Sequence, residues 1–437
     1  MKRHVLFIFA LTLTVLLTSC GGGGGGGVDE DVSTIVQAGM ANLQTGNGTA
    51  AASNFQEALS RSPNNAEANF GMGFIKLMRI SNDLVNFLSA QNDPAFRNVS
   101  WLILKPLVEY PSHKTGLPDL GRLVTLDDED VKVDDLTLEQ IRQKLATTIT
   151  SIEEINGFLN KVISATSGND TWKFIVLKDW NDPSAGTTSL WRGDVILISS
   201  ALDFVAGFMH LTVAYSPGPL GVHMNDDGTI EITGKSNGSG GVYEDTNLDG
   251  YIDLNEIAAQ EGLPDGFGVL ASGGSGHLSK TVEDWRSAIT KFRDGMDSYL
   301  ASNTPTDHWA FEDMTQEEYN DFKEDWSGYL KAYANDMIAV FTNGTTLSIR
   351  PGLLADKPDL ADDPGADFTL KINFAAFFNN LPTDLRNFPI RFKIDMWGEL
   401  FWADTVSEGF TDTTLLGLFP DGCPQDVYDI FPWAANP

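Results

Sequence analysis

Of 437 residues only two are cysteine, six are histidine and 29 are basic, and each scarcity excludes something. Two cysteines, Cys20 and Cys423, rule out a disulfide framework or a thiolate metal cluster. No H-E-x-x-H pair exists among the histidines, which removes the helical zinc-hydrolase arrangement. Against the 29 Lys and Arg stand 60 Asp and Glu, for a net charge of −31 and a pI near 4.3. Such a field repels phosphate backbones and anionic lipid headgroups, so nucleic acid is excluded as a partner. Long apolar runs are scarce too: Val5 to Leu17, and Asp194 to Tyr215. The second holds Asp203 and His210, both costly in lipid, and reads as a central buried helix. Ser199 shares their stripe, and the bland reading of all three is a satisfied polar group in a helical core. What remains, 42% hydrophobic residues, suffices for one large domain or two to three ordinary ones.

The first run sits behind Lys2 and Arg3 and is too short to span a bilayer comfortably. It ends Leu17-Thr18-Ser19-Cys20, which resembles the lipobox of bacterial lipoproteins. That resemblance implies a signal peptide over 1–19, cleavage before Cys20, and lipid on the Cys20 thiol and amine that anchors the chain to a membrane. Loss of Lys2 and Arg3 with the leader takes the charge from −31 to −33. Gly21, in place of an aspartate, points to the outer membrane rather than the inner, with a periplasmic or surface-facing body. Residues 20–30 add seven consecutive glycines, Gly21 to Gly27, a flexible tether. With Cys20 lipidated, Cys423 has no intrachain partner and is either buried and inert or open to an intermolecular bond.

Residues 31–90 predict a helical hairpin and a third helix from about Ala66 to Ala90. Gly39, Gly46, Ala51, Phe55, Ala58 and Pro63 let two helices approach closely, fill the groove with one ring, and stop the second helix. Their spacing resembles a tetratricopeptide repeat, with Gly73 at the next repeat's small position. One and a half repeats cannot bury a shared core alone, so the hairpin must dock on its neighbours. After a loop-rich stretch with the acidic run Asp127 to Asp130, Thr137 and Gln140 form a capping-box signal for a helix to about Ala165. A short strand is expected at Lys173 to Leu177, a hairpin about Asp226-Asp227-Gly228, helices at Asp284 to Ser302 and Gln316 to Phe341, and a strand at Phe368 to Phe374. The predicted fold is mainly α with a smaller α+β part: a tetratricopeptide-like hairpin on a helical body (91–304) with short β-hairpins, then an α+β cap (305–437).

One motif carries specific chemistry. Residues 245–256 read DTNLDGYIDLNE, with oxygen donors Asp245, Asn247, Asp249, Asp253 and Glu256, the Tyr251 backbone carbonyl, and Gly250 at the sharp turn. Every defining position matches the EF-hand calcium loop, and a hard oxygen cage favours Ca²⁺ over Mg²⁺. Ile252 supplies the apolar tack to the core. The glycine-rich entry NGSGGVYE cannot be much of a helix, so the loop is more similar to those of dockerins and other extracellular proteins, which implies a structural calcium rather than a switch. An upstream echo at His223 to Gly234 lacks the twelfth-position carboxylate and reads as a plain hairpin. Enzyme signals are thin: Gly234-Lys-Ser-Asn-Gly238 lies in a glycine-rich turn rather than between strand and helix, and Ser275-Gly-His277 has no adjacent acid. The expected function is a lipid-anchored, calcium-containing scaffold that binds a protein or peptide. The competing expectation is a calcium-dependent hydrolase or glycan-handling enzyme of the envelope.

Overall fold

The computed structural model describes residues 30–44, 47–89, 136–168, 172–177, 187–224, 230–233, 243–301, 315–349, 368–394 and 400–428. The leader with Cys20, the glycine tether, Gly46, the acidic run, the Asp226-Asp227-Gly228 turn and the Gly234 to Gly238 run lie outside them. Within the described residues the chain is mainly helical, with a few short strands in small sheets.

Helices α1 (Glu30–Gln44) and α2 (Gly48–Arg61) form the expected hairpin. Asn47 caps α2 by accepting from the Ala50 N–H at 3.2 Å, and α2 ends at Arg61, two residues before Pro63. Phe55 is fully buried. Its ring lies against Gly39 of α1 and Gly71 of α3 (Ala66–Ser89), where an added Cβ would come within 2.8 and 2.4 Å of it. Gly73 serves a different neighbour. A Cβ there would lie 3.4 Å from Phe158 and Leu159 of α4 (Leu138–Ala165). The core is continuous from Val32 and Phe55 through Phe74, Ile155 and Val162 to Val195 and Leu202, so the hairpin is docked as expected.

Strands β2 (Lys173–Leu177) and β3 (Thr187–Trp191) pair antiparallel and bury Phe174 and Leu190 in the same core. Helix α5 (Arg192–Ala214) follows; Asp194 caps it by accepting from the Trp191 N–H at 2.6 Å. It is long and apolar enough to cross a membrane, but most of it is buried inside the fold, and Ser199, Asp203 and His210 are among its buried residues. Its partners are α4 and α7 (Gly274–Leu300). Helix α7 starts ten residues before the predicted Asp284. The run Gly273-Gly274-Ser275-Gly276 has a turn's composition, yet only Gly273 takes a left-handed turn conformation (φ 79°), and Gly274 opens the helix against the Ala214 carbonyl.

The hairpin expected from Val222 to Ile232 is present as β5 (Gly221–Met224) and β6 (Ile230–Thr233), with Val222 opposite Ile232 and His223 opposite Glu231. Its outer partner is β1 (Leu136–Thr137). Strand β4 (Tyr215–Pro217) pairs with β8 (Phe267–Leu270) and so brings the chain after residues 245–256 back to the end of α5.

The predicted helix from Gln316 to Phe341 is interrupted: α8 (Gln316–Asp325) and α9 (Lys331–Val340) are joined by a π turn at Trp326 to Leu330. Trp326 is buried there and donates to Asp297 of α7 at 3.0 Å. Strands β9 (Thr345–Ile349) and β10 (Phe368–Ile372) pair antiparallel. The predicted strand through Phe374 stops at Ile372, because Asn373 caps α10 (Phe374–Asn379) by accepting from the Ala376 N–H at 2.9 Å. Strands β11 (Arg391–Ile394) and β12 (Leu400–Trp402) follow. Leu370, Phe410, Leu415, Phe419, Cys423 and Tyr428 form a separate apolar core for this part. Cys423 is therefore buried, and burial pushes its thiol up to about 11.

Candidate metal loop and buried polar network

Tyr243 and Glu244, which lead into the 245–256 loop, are not helical, and the glycine-rich residues before them lie outside the described residues. The turn is wound by side-chain oxygens that accept the loop's own amides. Asp245 accepts from the Leu248 and Gly250 N–H groups at 2.6 and 2.7 Å. Asn247 accepts from Asp249 at 2.9 Å, and Asp249 from Tyr251 at 2.9 Å. Gly250 has φ 89°, a conformation that explains glycine at this position. Leu248 also takes a positive φ of 62° and is 86% exposed.

The last donor comes from the next element. Strand β7 (Ile252–Asp253) leads into α6 (Leu254–Gln260), and Glu256 lies in its first turn. Asp253 accepts from the Glu256 N–H at 2.9 Å, while Glu256 Oε2 accepts from the Asp253 N–H at 3.2 Å, a reciprocal cap. The other oxygen, Oε1, reaches back over the loop and accepts from the Thr246 N–H at 2.9 Å, the Thr246 hydroxyl at 2.7 Å and the Asn247 N–H at 3.3 Å. Glu256 is only 8% exposed, and Ile252 is fully buried, as its position in the motif predicts. Among the described residues no three or more His, Cys, Asp or Glu side chains converge as an ion cage. In this loop the carboxylates face amides. Each ionised carboxylate offers about four lone-pair sites, so acceptor capacity for a hard cation remains.

The loop is fastened to distant chain. β7 pairs antiparallel with β11, Ile252 opposite Phe392 and Asp253 opposite Arg391, and β11 carries β12 on its other edge. The Arg391 guanidinium lies over the Tyr251 ring, 4.1 Å from its centroid. Asn255 donates to Asn387 at 3.0 Å. At the loop's entrance, Gln260 exchanges two hydrogen bonds of 2.7 Å with the Glu244 backbone. Thr246 and Arg391 were not legible as loop partners: the first occupies a variable motif position, and the second lies far along the chain.

A second polar cluster lies between α4, α5 and α7. Asp203 and His210, seven residues apart on the buried face of α5, do not satisfy one another. Asp203 accepts from Asn156 of α4 and, at 2.6 Å, from Ser287 of α7, and pairs with Lys291 of α7 at 2.7 Å. Ser199 closes this network, donating to Asn156 at 2.9 Å and accepting from Lys291 at 2.8 Å. His210, 3% exposed, instead meets His277 of α7, their Nδ1 atoms 2.7 Å apart. On its other side, Nε2 stands 3.5 Å from Asp284 Oδ2 and 3.7 Å from Glu153 Oε1. Neither His210 Nε2 nor Asp284 Oδ2 has a hydrogen-bond partner, though both are buried. Burial and the adjacent His277 push the His210 imidazole down to about 4; burial and Asp203 raise the Asp284 carboxyl to about 7. Asp284 lies two turns after His277 on α7 and meets His210 rather than His277.

No protein-family model matches this chain, and no curated protein or solved structure matches it at a significant level.

Proposed function

We propose that the chain is a lipid-anchored protein of a bacterial cell envelope, held together in its middle by one structural Ca²⁺ and serving as a docking scaffold for a protein or peptide. The observation that carries the calcium reading is the wound loop 245–256, in which Glu256 folds back from α6 over the turn that Asp245, Asn247 and Asp249 build. Asp245, Asn247, Asp249, Asp253 and Glu256 would hold the ion with the Tyr251 carbonyl. Calcium would take over oxygens now facing amides, through side-chain rotation on a backbone turn that already exists. The ion supplies charge neutralisation and cross-linking; the chain supplies the turn, the buried Ile252 and the strand pairing to β11.

Thermal unfolding with millimolar Ca²⁺, with Mg²⁺ and with chelator tests this reading. A calcium-specific rise in melting temperature supports it, and equal melting in all three conditions would sink it. Lipid anchoring rests on Leu17-Thr18-Ser19-Cys20, and Cys20→Ser should move the protein from the membrane to the soluble fraction. The scaffold reading rests on α1–α3 and the close packing about Phe55. A photo-crosslinker at Gln37 or Ala41, both exposed on α1, should capture a discrete partner in intact cells.

One observation favours the hydrolase alternative, the buried histidine–acid pair of His210 and Asp284. Its ring is enclosed by α4 and α7 and faces carboxylates, so a role inside the fold fits it better. Glycan or ester hydrolysis by the purified protein, abolished in Asp284→Asn, would reverse that preference.

A further inference from the structure

We propose that His210 and His277 form an acid-sensitive latch between α5 and α7, closed by one hydrogen bond between their facing ring nitrogens and opened when both rings carry charge. The contact sits where the two helices meet at the end of α5. Thr281 donates to the Gly207 carbonyl at 3.2 Å, and the Ala271 N–H donates to the Ala214 carbonyl at 2.9 Å. The two rings lie 5.0 Å apart between centroids. At 2.7 Å between Nδ1 atoms, one nitrogen carries the hydrogen and the other is bare. Two imidazolium rings would instead point two N–H groups at each other, losing the bond and adding like-charge repulsion.

Every element around the pair bears on its charge. Helix α4 brings Glu153 to His210 and the Arg142 charge to His277; α7 brings Lys280, Glu283 and Asp284; α5 itself brings Asp203 beside Asp284. Asp284 and His210 together accommodate one proton, since both Oδ2 and Nε2 are buried and unpaired at 3.5 Å. A second proton has no such place. His277 is held below its ordinary value by burial and by Arg142, in agreement with this geometry.

The proton inventory gives the sign. In mildly acidic solution the folded cluster of His210, His277 and Asp284 holds about one proton, whereas the unfolded chain holds about two, one on each histidine. Unfolding therefore takes up about one proton, and stability falls as pH drops below the ordinary histidine value. Asp284→Asn removes the folded-state proton and should raise the uptake to about two. His277→Gln keeps a hydrogen-bonding group opposite His210 without a titrating ring and should bring the uptake close to zero.

The test is chemical denaturation of the full chain and both variants at steps between about pH 5 and about pH 7, reading proton uptake from the slope of stability. The three slopes should rank Asp284→Asn above the native chain above His277→Gln. Equal slopes in all three overturn the latch. Nitrogen-15 spectra of the histidine rings give an independent readout in the native chain. One ring of the pair should carry hydrogen on Nδ1, and that pair should titrate well below the ordinary histidine value. Two rings both protonated at Nε2 and titrating normally would overturn it even if a variant failed to fold.

Discussion

Glu256 serves two levels of structure: its carboxylate closes the cap of α6 and receives three hydrogen bonds from the loop before it. Glu256→Gln keeps the size and loses the charge and one acceptor. It should weaken calcium binding by about 10-fold or more in a titration calorimeter, since affinity in such loops follows ligand charge. An unchanged affinity would remove Glu256 from the ligand set. Cys423 offers a prediction of opposite character. Its thiol is buried in the C-terminal core and raised to about 11, so almost no thiolate exists at neutral pH. A thiol reagent should label it at the rate of unfolding, and immediate labelling in native buffer would contradict the packing.

At the scale of elements, close helix approach is concentrated at Phe55. Gly71→Ala places a methyl 2.4 Å from that ring and should cost about 1–3 kcal/mol. Phe55→Ala empties the groove and should cost about 3–5 kcal/mol in urea denaturation. Because the two residues touch, the double variant should cost less than their sum. On α5 the key element contact is polar. Asp203 and Lys291 are paired with side chains 10 and 18% exposed, so Asp203→Ala strands a buried ammonium and should cost about 3–5 kcal/mol. Helical spacing made α1–α5 legible beforehand, because burying one face imposes a period on residues a few positions apart. It did not reveal the π turn at Trp326, nor the early start of α7 on glycines. Both are decided by what lies across from them: Asp297 beside the Trp326 indole, and the Ala214 carbonyl beside Gly274.

At the scale of the molecule, the loop and the C-terminal part are one mechanical unit. Strand β7 runs directly from the motif, and β11 lies nearly 140 residues later with Arg391 over Tyr251. Calcium should therefore slow amide exchange in 391–394 as well as in 245–256. Protection confined to the loop would show that the pairing transmits nothing. The charge of −31 acts at the same scale: self-repulsion is screened by salt, so added sodium chloride should raise the melting temperature.

The twelve residues from Asp245 to Glu256 announced their own turn, because its chemistry, Asx oxygens on amides two to five positions on, is local. Hydrophobic period did the same for the helical class of the fold, and turn residues for the β5–β6 hairpin. The sequence placed Asp203 and His210 on one buried stripe but was silent on their partners. Asn156, Ser287, Lys291, His277 and Asp284 come from two other helices, 47 to 88 positions away, and only the packing of α4 and α7 on α5 brings them close. The same holds for β11 beside the loop. Local interactions can be read from neighbours in the chain, while a contact between distant residues exists only once the whole core has fixed which faces meet.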